Sequence, residues 1–311
     1  MPLSTWNKAT TGSEVAKHFA AHIKGKNVLI TGASPGGLGA EMARILAPYE
    51  PGLLVLAGRS QAKLDDCTRA IKQSNSQASV KTLILDLASL QQTREAAKEF
   101  LSWNVQLDVL CNNAGIMAVP KRTLTQDGFE SQLHTNHIGH FLFTNLIKHR
   151  FKQGARIVNV SSHGHRNGSF RFDDPNFDKE DEYKPFVSYG QSKTANMLFS
   201  VGIANRWKDR QIVSISLMPG SIDTNLASNS MSKEDLAKID LTNHIFKTLD
   251  EGTATQIVAS FDPEMVNYNG SYLDDCQVAD NDEGTKAYAL SSDNAEKVWQ
   301  WTNKVLCENF A

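Results

Sequence analysis

Residues 27–46, NVLITGASPGGLGAEMARIL, decide the fold that this sequence predicts. The apolar, β-branched run 27–31 predicts a buried strand, and residues 37–46 predict a helix. The glycine-rich turn between them lets backbone N–H groups approach a pyrophosphate, and the helix N-terminus adds its partial positive charge. A glycine-rich segment alone is often a simple loop, but a strand, a turn and a helix in this order predict a nucleotide-binding site.

The same alternation continues along the chain. Strands are predicted at residues 27–31, 53–57, 81–85, 107–111, 157–160, 212–217 and 271–273. Helices are predicted at residues 37–46, 62–73, 90–100, 129–151 and 188–207, and from Thr248, which has capping-box spacing to Glu251. This alternation predicts an α/β fold with a parallel sheet covered by helices on both faces. Ligands of such sheets bind at the carboxyl ends of the strands.

Composition and charge disfavour several classes of protein. Hydrophobic residues make up 41% of the 311 residues, as in a globular protein with a packed core. The net charge of −2, without a Lys/Arg cluster, does not favour a nucleic-acid partner. No apolar run approaches the roughly 20 residues of a membrane span, and residues 1–11 lack the apolar part of a signal peptide. With four scattered cysteines expected as reduced thiols, these features predict a cytoplasmic protein without a membrane anchor.

Three predicted strands end in candidate cofactor contacts. Arg59 follows Gly58 where an NAD site usually carries an acidic residue for the ribose hydroxyl. A guanidinium there can bind the 2′-phosphate of NADP, so NADP(H) is the predicted cofactor; the alternative is a surface arginine. Asp86 is placed to meet the adenine edge, and the small and amide residues 112–115 suit a backbone close to the cofactor.

Tyr189 and Lys193 are the candidate acid–base pair. Residues four apart lie on one face of a helix, so both side chains can converge on one site. A free tyrosine has a pKa of about 10, and a nearby ammonium is expected to lower it. Ser162, after the fifth predicted strand, is placed to hold a substrate oxygen. A Tyr/Lys pair alone is more often a solvated helix face, and only this context favours catalysis.

Taken together and in this order, these motifs resemble the short-chain dehydrogenase/reductase family over roughly residues 25–275. The resemblance implies a single Rossmann domain with a seven-stranded, doubly wound parallel sheet. It implies an Asn136–Ser162–Tyr189–Lys193 tetrad, in which Tyr189 is the acid/base, Lys193 binds the nicotinamide ribose, Ser162 positions the substrate and Asn136 holds a water of the proton relay. The cofactor-binding residues are predicted to be Gly32, Ser34, Gly37, Leu38, Gly39, Arg59, Asp86, Leu87, Asn113, Ala114, Gly115, Tyr189, Lys193, Pro219, Gly220, Ile222 and Thr224.

Finer features resemble the retinol-dehydrogenase-like and WW-domain-oxidoreductase-like branch. These are residues 136–141 (NHIGHF), Glu251-Gly252 and residues 270–276 (GSYLDDC). The glycine turn is one residue longer than is usual in the family, which places the extra residue among 33–36. The whole chain, 1–311, is predicted to form one domain with an N-terminal extension (1–24), a substrate lid (221–245) and a C-terminal segment (277–311).

The predicted function is NADP(H)-dependent interconversion of a carbonyl and an alcohol, with a small-molecule substrate. The alternatives are a non-redox lyase or isomerase on the same fold, and an NADP(H)-sensing binding protein. A homo-oligomer is left open. No metal site is predicted, because His134, His137 and His140 are expected to be structural. Trp299 and Trp301 are expected to serve packing or oligomer contacts.

Overall fold

A central eight-stranded sheet organises the described part of the chain. The computed structural model describes residues 6–179, 182–222, 246–279 and 284–311. The strand order is β3-β2-β1-β4-β5-β6-β7-β8. The strands are β1 (Asn27–Thr31), β2 (Leu53–Gly58), β3 (Val80–Ile84), β4 (Leu107–Asn112), β5 (Phe151–Val160), β6 (Val213–Met218), β7 (Tyr272–Asp274) and β8 (Gln277–Val278). Strands β1 to β7 pair in parallel, which confirms the doubly wound sheet.

The predicted number of seven strands is wrong by one. Strand β8 pairs antiparallel with β7 at the edge of the sheet. Asp275 and Cys276 both have positive φ, 48° and 65°, and this two-residue turn reverses the chain. Turns of this kind favour Asn-Gly or Asp-Gly, so an Asp-Cys pair gives no hairpin signal in the sequence.

Helices cover both faces of the sheet. They are α1 (Gly12–His18), α2 (Ala20–Ile23), α3 (Leu38–Leu46), α4 (Gln61–Ser74), α5 (Leu90–Ser102), α6 (Ser131–Leu133), α7 (Gly139–Leu146), α8 (Pro185–Arg206), α9 (Leu249–Phe261), α10 (Ala287–Leu290) and α11 (Ser292–Leu306). Successive side chains of β1 point to opposite faces: Val28 belongs to the hydrophobic cluster with α3 and α9, and Leu29 to the cluster with α5, α7 and α8. The central strand β1 is therefore buried on both faces.

The single helix predicted at 129–151 is wrong in its continuity. It is divided into α6, a π-helix (His134–Ile138), α7 and a 3₁₀ turn (Lys148–Arg150), and Phe151 already begins β5. Gly139 lies so close to the segment that follows β3 that an added Cβ would be 2.3 Å from the carbonyl oxygen of Leu87. Such a contact between distant segments has no signal in helical periodicity.

The two ends of the chain pack against this layered core. Ser13 of α1 bonds to Asp250 at the start of α9 through its backbone N–H (2.8 Å) and its hydroxyl (2.7 Å). Trp299 of α11 is 1% exposed, and its ring centroid lies 4.8 Å from that of Phe141, which confirms a packing role. The division into an extension, a lid and a C-terminal segment stays a prediction, and residues 223–245 of the predicted lid lie outside the described residues.

The four cysteines are unpaired, and only Cys307 is exposed. Among the described residues, no helix is long and apolar enough to cross a membrane.

Candidate active site

The glycine turn after β1 is shaped by close backbone approach. Gly32 has φ +72°, and an added Cβ would lie 2.7 Å from the Cα of Ala114 at the end of β4. A Cβ at Gly39 would lie 2.7 Å from Nδ2 of Asn113. Both positions therefore require glycine, because any larger residue would push β1, α3 and the β4 exit apart.

The first turn of α3 lacks a side-chain cap. Gly37 is its N-cap residue and offers no oxygen, whereas Ser60, Ser89, Thr248 and Ser291 each accept a backbone N–H at the start of α4, α5, α9 and α11. The extra residue of the glycine segment lies in a turn closed by Gly37 N–H donating to Ser34 O at 3.0 Å, with Gly36 at φ +74°. Free N–H groups and the helix dipole make this N-terminus suitable for a phosphate.

Arg59 lies one residue beyond β2 at the same edge. It is exposed, and no ion pair or hydrogen bond engages its guanidinium within the described ranges. A Cβ at Gly58 would meet no atom closer than 3.4 Å, so close packing does not by itself require glycine there. The end of β2 thus presents one uncompensated positive charge beside the glycine turn.

Asp86 after β3 and Asn113 after β4 both bind groups of the protein itself. Asp86 Oδ1 accepts the Ala88 N–H at 3.0 Å, which forms a turn after β3. The Asn113 side chain donates to Thr31 O at 2.8 Å and accepts from Gln256 of α9 at 2.9 Å. Its amide therefore joins β1, β4 and α9.

Asn136 lies in the π-helix and connects three segments. Its Oδ1 accepts from Ile116 N (2.8 Å), and its Nδ2 donates to Ile116 O and to Ser192 Oγ of α8 (both 2.9 Å). Its backbone oxygen accepts from Nδ1 of His140 at 2.9 Å. Both Nδ2 hydrogens are engaged within the protein, so a water held by Asn136 would have to donate to one of its two oxygens.

His140 is a site residue whose contact the sequence did not reveal. Because its Nδ1–H donates to Asn136 O, Nε2 is an acceptor and receives the Thr31 hydroxyl at 2.9 Å. Thr31 Oγ1 in turn accepts the backbone N–H groups of Asn113 and Ala114, both at 3.0 Å. The ring thus links Asn136 to the glycine turn, and burial lowers its pKa to about 4, which keeps it neutral.

Tyr189, Lys193 and Ser162 come together at the carboxyl end of β5, as predicted. Tyr189 is 5% exposed and Lys193 is 3% exposed. Lys193 Nζ lies 5.6 Å from the Tyr189 ring centroid and donates to the carbonyl of Val160, the last residue of β5, at 3.0 Å. Gly115 closes the other side, since a Cβ there would lie 3.4 Å from Lys193 Nζ.

Gly164 is a second residue that sequence reasoning missed. Ser162 Oγ accepts the Gly164 N–H at 3.0 Å, which folds the chain over the tyrosine. A Cβ at Gly164 would lie 2.7 Å from Cε1 of Tyr189, so the ring packs directly on the Gly164 backbone. The only signal was a glycine two residues after Ser162.

The expected lowering of the Tyr189 pKa is wrong. Burial raises the pKa of Tyr189 to about 12, and an interaction with Ser162 opposes this only in part. Burial also lowers the pKa of Lys193 to about 8, because no carboxylate compensates the buried ammonium. Near neutral pH the pair is therefore a protonated phenol beside an ammonium, an arrangement that can donate a proton.

The segment after β6 lies at the same edge of the sheet as the glycine turn. Gly220 has φ +106°, and an added Cβ would lie 2.5 Å from Cδ of Lys247. Ile222 forms a bridge with Lys247, and its Cδ1 lies 2.6 Å from where a Cβ of Gly252 would be. Because Gly252 has no side chain, Ile222 can pack directly against α9; this glycine was singled out in the sequence together with Glu251. Pro219 directly follows β6, and Thr224 lies outside the described residues.

The histidines around Asn136 have separate partners. His134 contacts Thr125 Oγ1 at 2.8 Å, and His137 contacts Thr302 Oγ1 at 3.1 Å. Among the described residues, no group of three or more His, Cys, Asp or Glu side chains is arranged to hold a metal ion.

Comparison with known proteins decides the family. A family model described as short chain dehydrogenase matches residues 26–173. Short-chain dehydrogenase/reductase prx1 of Penicillium roqueforti is 36% identical over 300 residues, which cover 92% of this chain and 86% of that protein. The chain belongs to the short-chain dehydrogenase family. It is accordingly an oxidoreductase with the Rossmann fold, as predicted from the joint motifs.

Solved structures agree with this assignment. The crystal structure of an uncharacterized protein from Mycobacterium Paratuberculosis is 30% identical, with a TM-score of 0.72 over 94% of this chain and 98% of that one. A short chain dehydrogenase from Burkholderia cenocepacia J2315, solved in complex with NADP, shares the fold at 22% identity, with a TM-score of 0.63 over 81% of this chain and 97% of that one. The branch within the family, the role of each site residue and the cytoplasmic location stay predictions.

Proposed function

We propose that this oxidoreductase uses NADP(H) to interconvert a small-molecule carbonyl and an alcohol. The observation that carries the proposal is the buried Tyr189–Lys193 pair, which meets Ser162 at the same sheet edge as the uncapped N-terminus of α3. A proton donor and a phosphate-binding helix end on one edge provide the two halves of a hydride-transfer site.

The residues present fit a dinucleotide with a 2′-phosphate. The uncapped first turn of α3, which begins at Leu38, suits the pyrophosphate, and the unengaged Arg59 suits a further phosphate at the end of β2. Gly58 leaves that position without a competing carboxylate. A related fold has been solved with NADP bound, which agrees with this reading.

In the reductive direction, bound NADPH supplies the hydride that the carbonyl carbon accepts. Ser162 Oγ donates a hydrogen bond to the carbonyl oxygen and fixes its position. Tyr189 Oη then transfers its proton to that oxygen, so that a C–H bond and an O–H bond form together. The Lys193 ammonium stabilises the phenolate that remains. Burial of both side chains excludes water from this transfer.

The two rival functions make different demands on the same residues. A lyase or isomerase would turn over its substrate without a net change in the nicotinamide. A cofactor-sensing protein would have no use for a buried, protonated Tyr189 beside Lys193, because neither is needed to hold a phosphate.

The decisive experiment is Tyr189→Phe. We expect normal NADPH binding by fluorescence titration and loss of nearly all carbonyl reduction, measured as NADPH absorbance over a panel of aldehydes and ketones. Tyr49→Phe, outside the site, is the matched control. Near-normal turnover by the Tyr189→Phe enzyme would refute the proposal, and bound cofactor that is never oxidised by any substrate would favour the lyase.

Arg59→Ala tests the cofactor choice. Loss of a charge-assisted hydrogen bond of about 1.5–3 kcal/mol should weaken NADPH binding roughly tenfold to a hundredfold and leave NADH nearly unchanged. Arg69→Ala, on the exposed face of α4, serves as the control. Equal losses for both cofactors would show that Arg59 does not bind the 2′-phosphate.

A further inference from the structure

A second polar pair lies beside the proposed site and is not used by the mechanism above. His163 follows Ser162 directly, and its Nε2 lies 2.5 Å from Oδ2 of Asp274. Its backbone N–H points to Met218 Sδ at 3.4 Å. Since Met218 ends β6 and is paired in register with Asp274 at the end of β7, the imidazole reaches across β6 at the ligand edge of the sheet.

The direction of this hydrogen bond determines what the other ring nitrogen can do. Asp274 is an acceptor, so Nε2 carries the hydrogen, and Nδ1 of the neutral ring presents a lone pair. Nδ1 has no hydrogen-bond partner among the described residues. The His163 side chain is 42% exposed and that of Asp274 is 20% exposed, so a ligand can reach the ring.

The neighbouring polar groups differ in this respect. His165 is buried and is held at both nitrogens, by Ser162 O at 2.7 Å and by Thr285 Oγ1 at 3.1 Å. The carboxylate of Asp275 binds Lys247 Nζ at 2.5 Å. His163 is therefore the oriented imidazole that remains available next to Ser162.

We propose that His163, held by Asp274, is a specificity-determining residue that accepts a hydrogen bond from a hydroxyl group of the substrate. The substrate class is a hydroxylated carbonyl compound, with the reacting oxygen at Ser162 and Tyr189 and the second hydroxyl at Nδ1 of His163. This inference rests on the proposed function, because it assigns the substrate of the same site. Asp274 acts through His163 and is a positioning residue.

The test compares ketones that differ only in a hydrogen-bond donor. The pairs are meta-hydroxyacetophenone and meta-methoxyacetophenone, the corresponding para pair, and α-hydroxyacetophenone with α-methoxyacetophenone. Affinities are measured by calorimetry with the protein saturated with NADP⁺, so that no hydride is available and binding is separated from turnover. We expect the hydroxylated member of at least one pair to bind about fivefold more tightly, as for one neutral hydrogen bond.

Variants assign this preference to the pair. His163→Phe and Asp274→Asn should each reduce the hydroxyl-to-methoxy affinity ratio to about one, and the double variant should cause no further loss. His163→Gln, which keeps an acceptor, should retain part of the ratio. Asp275→Asn and the exposed His149→Phe are controls that should keep it in full. If the pair had only a structural role, its substitution would change the affinities for both ketones equally.

Three outcomes separate this inference from the proposed function. Equal binding of both members of every pair, or a preference that survives in His163→Phe, overturns the role of His163. A hydroxyl preference in binding without reduction of any ketone by NADPH supports His163 and overturns the proposed function. Reduction of ketones without a hydroxyl preference in binding supports the proposed function and overturns the role of His163.

Discussion

Replacement of Lys193 by methionine should stabilise the fold while it removes function. Lys193 is 3% exposed and has no carboxylate partner among the residues that the structure describes, and burial lowers its pKa from the usual 10.5 to about 8. Each unit by which the pKa is lowered corresponds to about 1.4 kcal/mol, so burial of the charged side chain lowers the free energy of unfolding by about 3 kcal/mol at neutral pH. Methionine fills a similar volume without the charge.

The hydrogen bond that is lost does not offset this gain. Lys193 Nζ donates to Val160 O at 3.0 Å, but the same carbonyl also accepts from Nδ2 of Asn196 at 3.1 Å. The carbonyl therefore keeps a partner in the variant. Urea unfolding without cofactor at pH 7 should show a gain of about 3 kcal/mol, and thermal unfolding a midpoint higher by roughly 5 °C.

The stability difference between Lys193→Met and wild type should depend on pH. Because the folded pKa lies below the unfolded value, the cost is fully present below about pH 8 and disappears as the pH rises towards 10.5. The difference between wild type and variant should therefore narrow over that range. Lys208→Met, at an exposed position, should stay within about 0.5 kcal/mol of wild type. A Lys193→Met protein that is equally or less stable at pH 7 would refute the reasoning.

Two further predictions follow from the same geometry. Carbonyl reduction needs the Lys193 ammonium, so kcat/KM for reduction should be constant at low pH and fall above about pH 8; a rate that rises through this range would contradict the assigned charge states. Gly164→Ala places a Cβ 2.7 Å from the Tyr189 ring, so turnover should fall at least about tenfold while NADPH affinity is kept, and unchanged kinetics would show that the ring is free to move.

Local patterns in the sequence predicted the parts of the site that lie within one element. The glycine turn follows from its position between a strand and a helix, and the approach of Tyr189 and Lys193 follows from the helical repeat. Their meeting with Ser162 follows from the rule that strands of a parallel sheet end at one edge. These inferences need no knowledge of how distant segments pack.

The site features that were missed depend on contacts between distant segments. The ring of His140 bonds to Thr31, which is 109 positions away in the sequence. Leu87 leaves no room for a Cβ at position 139, and the ring of Tyr189 leaves none at position 164, so both positions require glycine. The pKa of Tyr189 was misjudged for the same reason, because helical spacing shows that Lys193 is near but not that burial outweighs its charge. Periodicity reports the face of an element and not the depth to which it is buried.

Three unfavourable features of this fold lie at the ligand edge of the sheet. Helices α4, α5, α9 and α11 begin with a side-chain cap, whereas α3 begins at Gly37 without one. Lys193 is buried without a counterion, and Arg59 is left without a partner among the described residues. Each of these features costs stability or gives none, and each matches a part of a phosphorylated dinucleotide or of a reacting carbonyl. An uncapped helix start, a buried ammonium and an exposed guanidinium at one edge of the sheet are best explained by a ligand that satisfies them together.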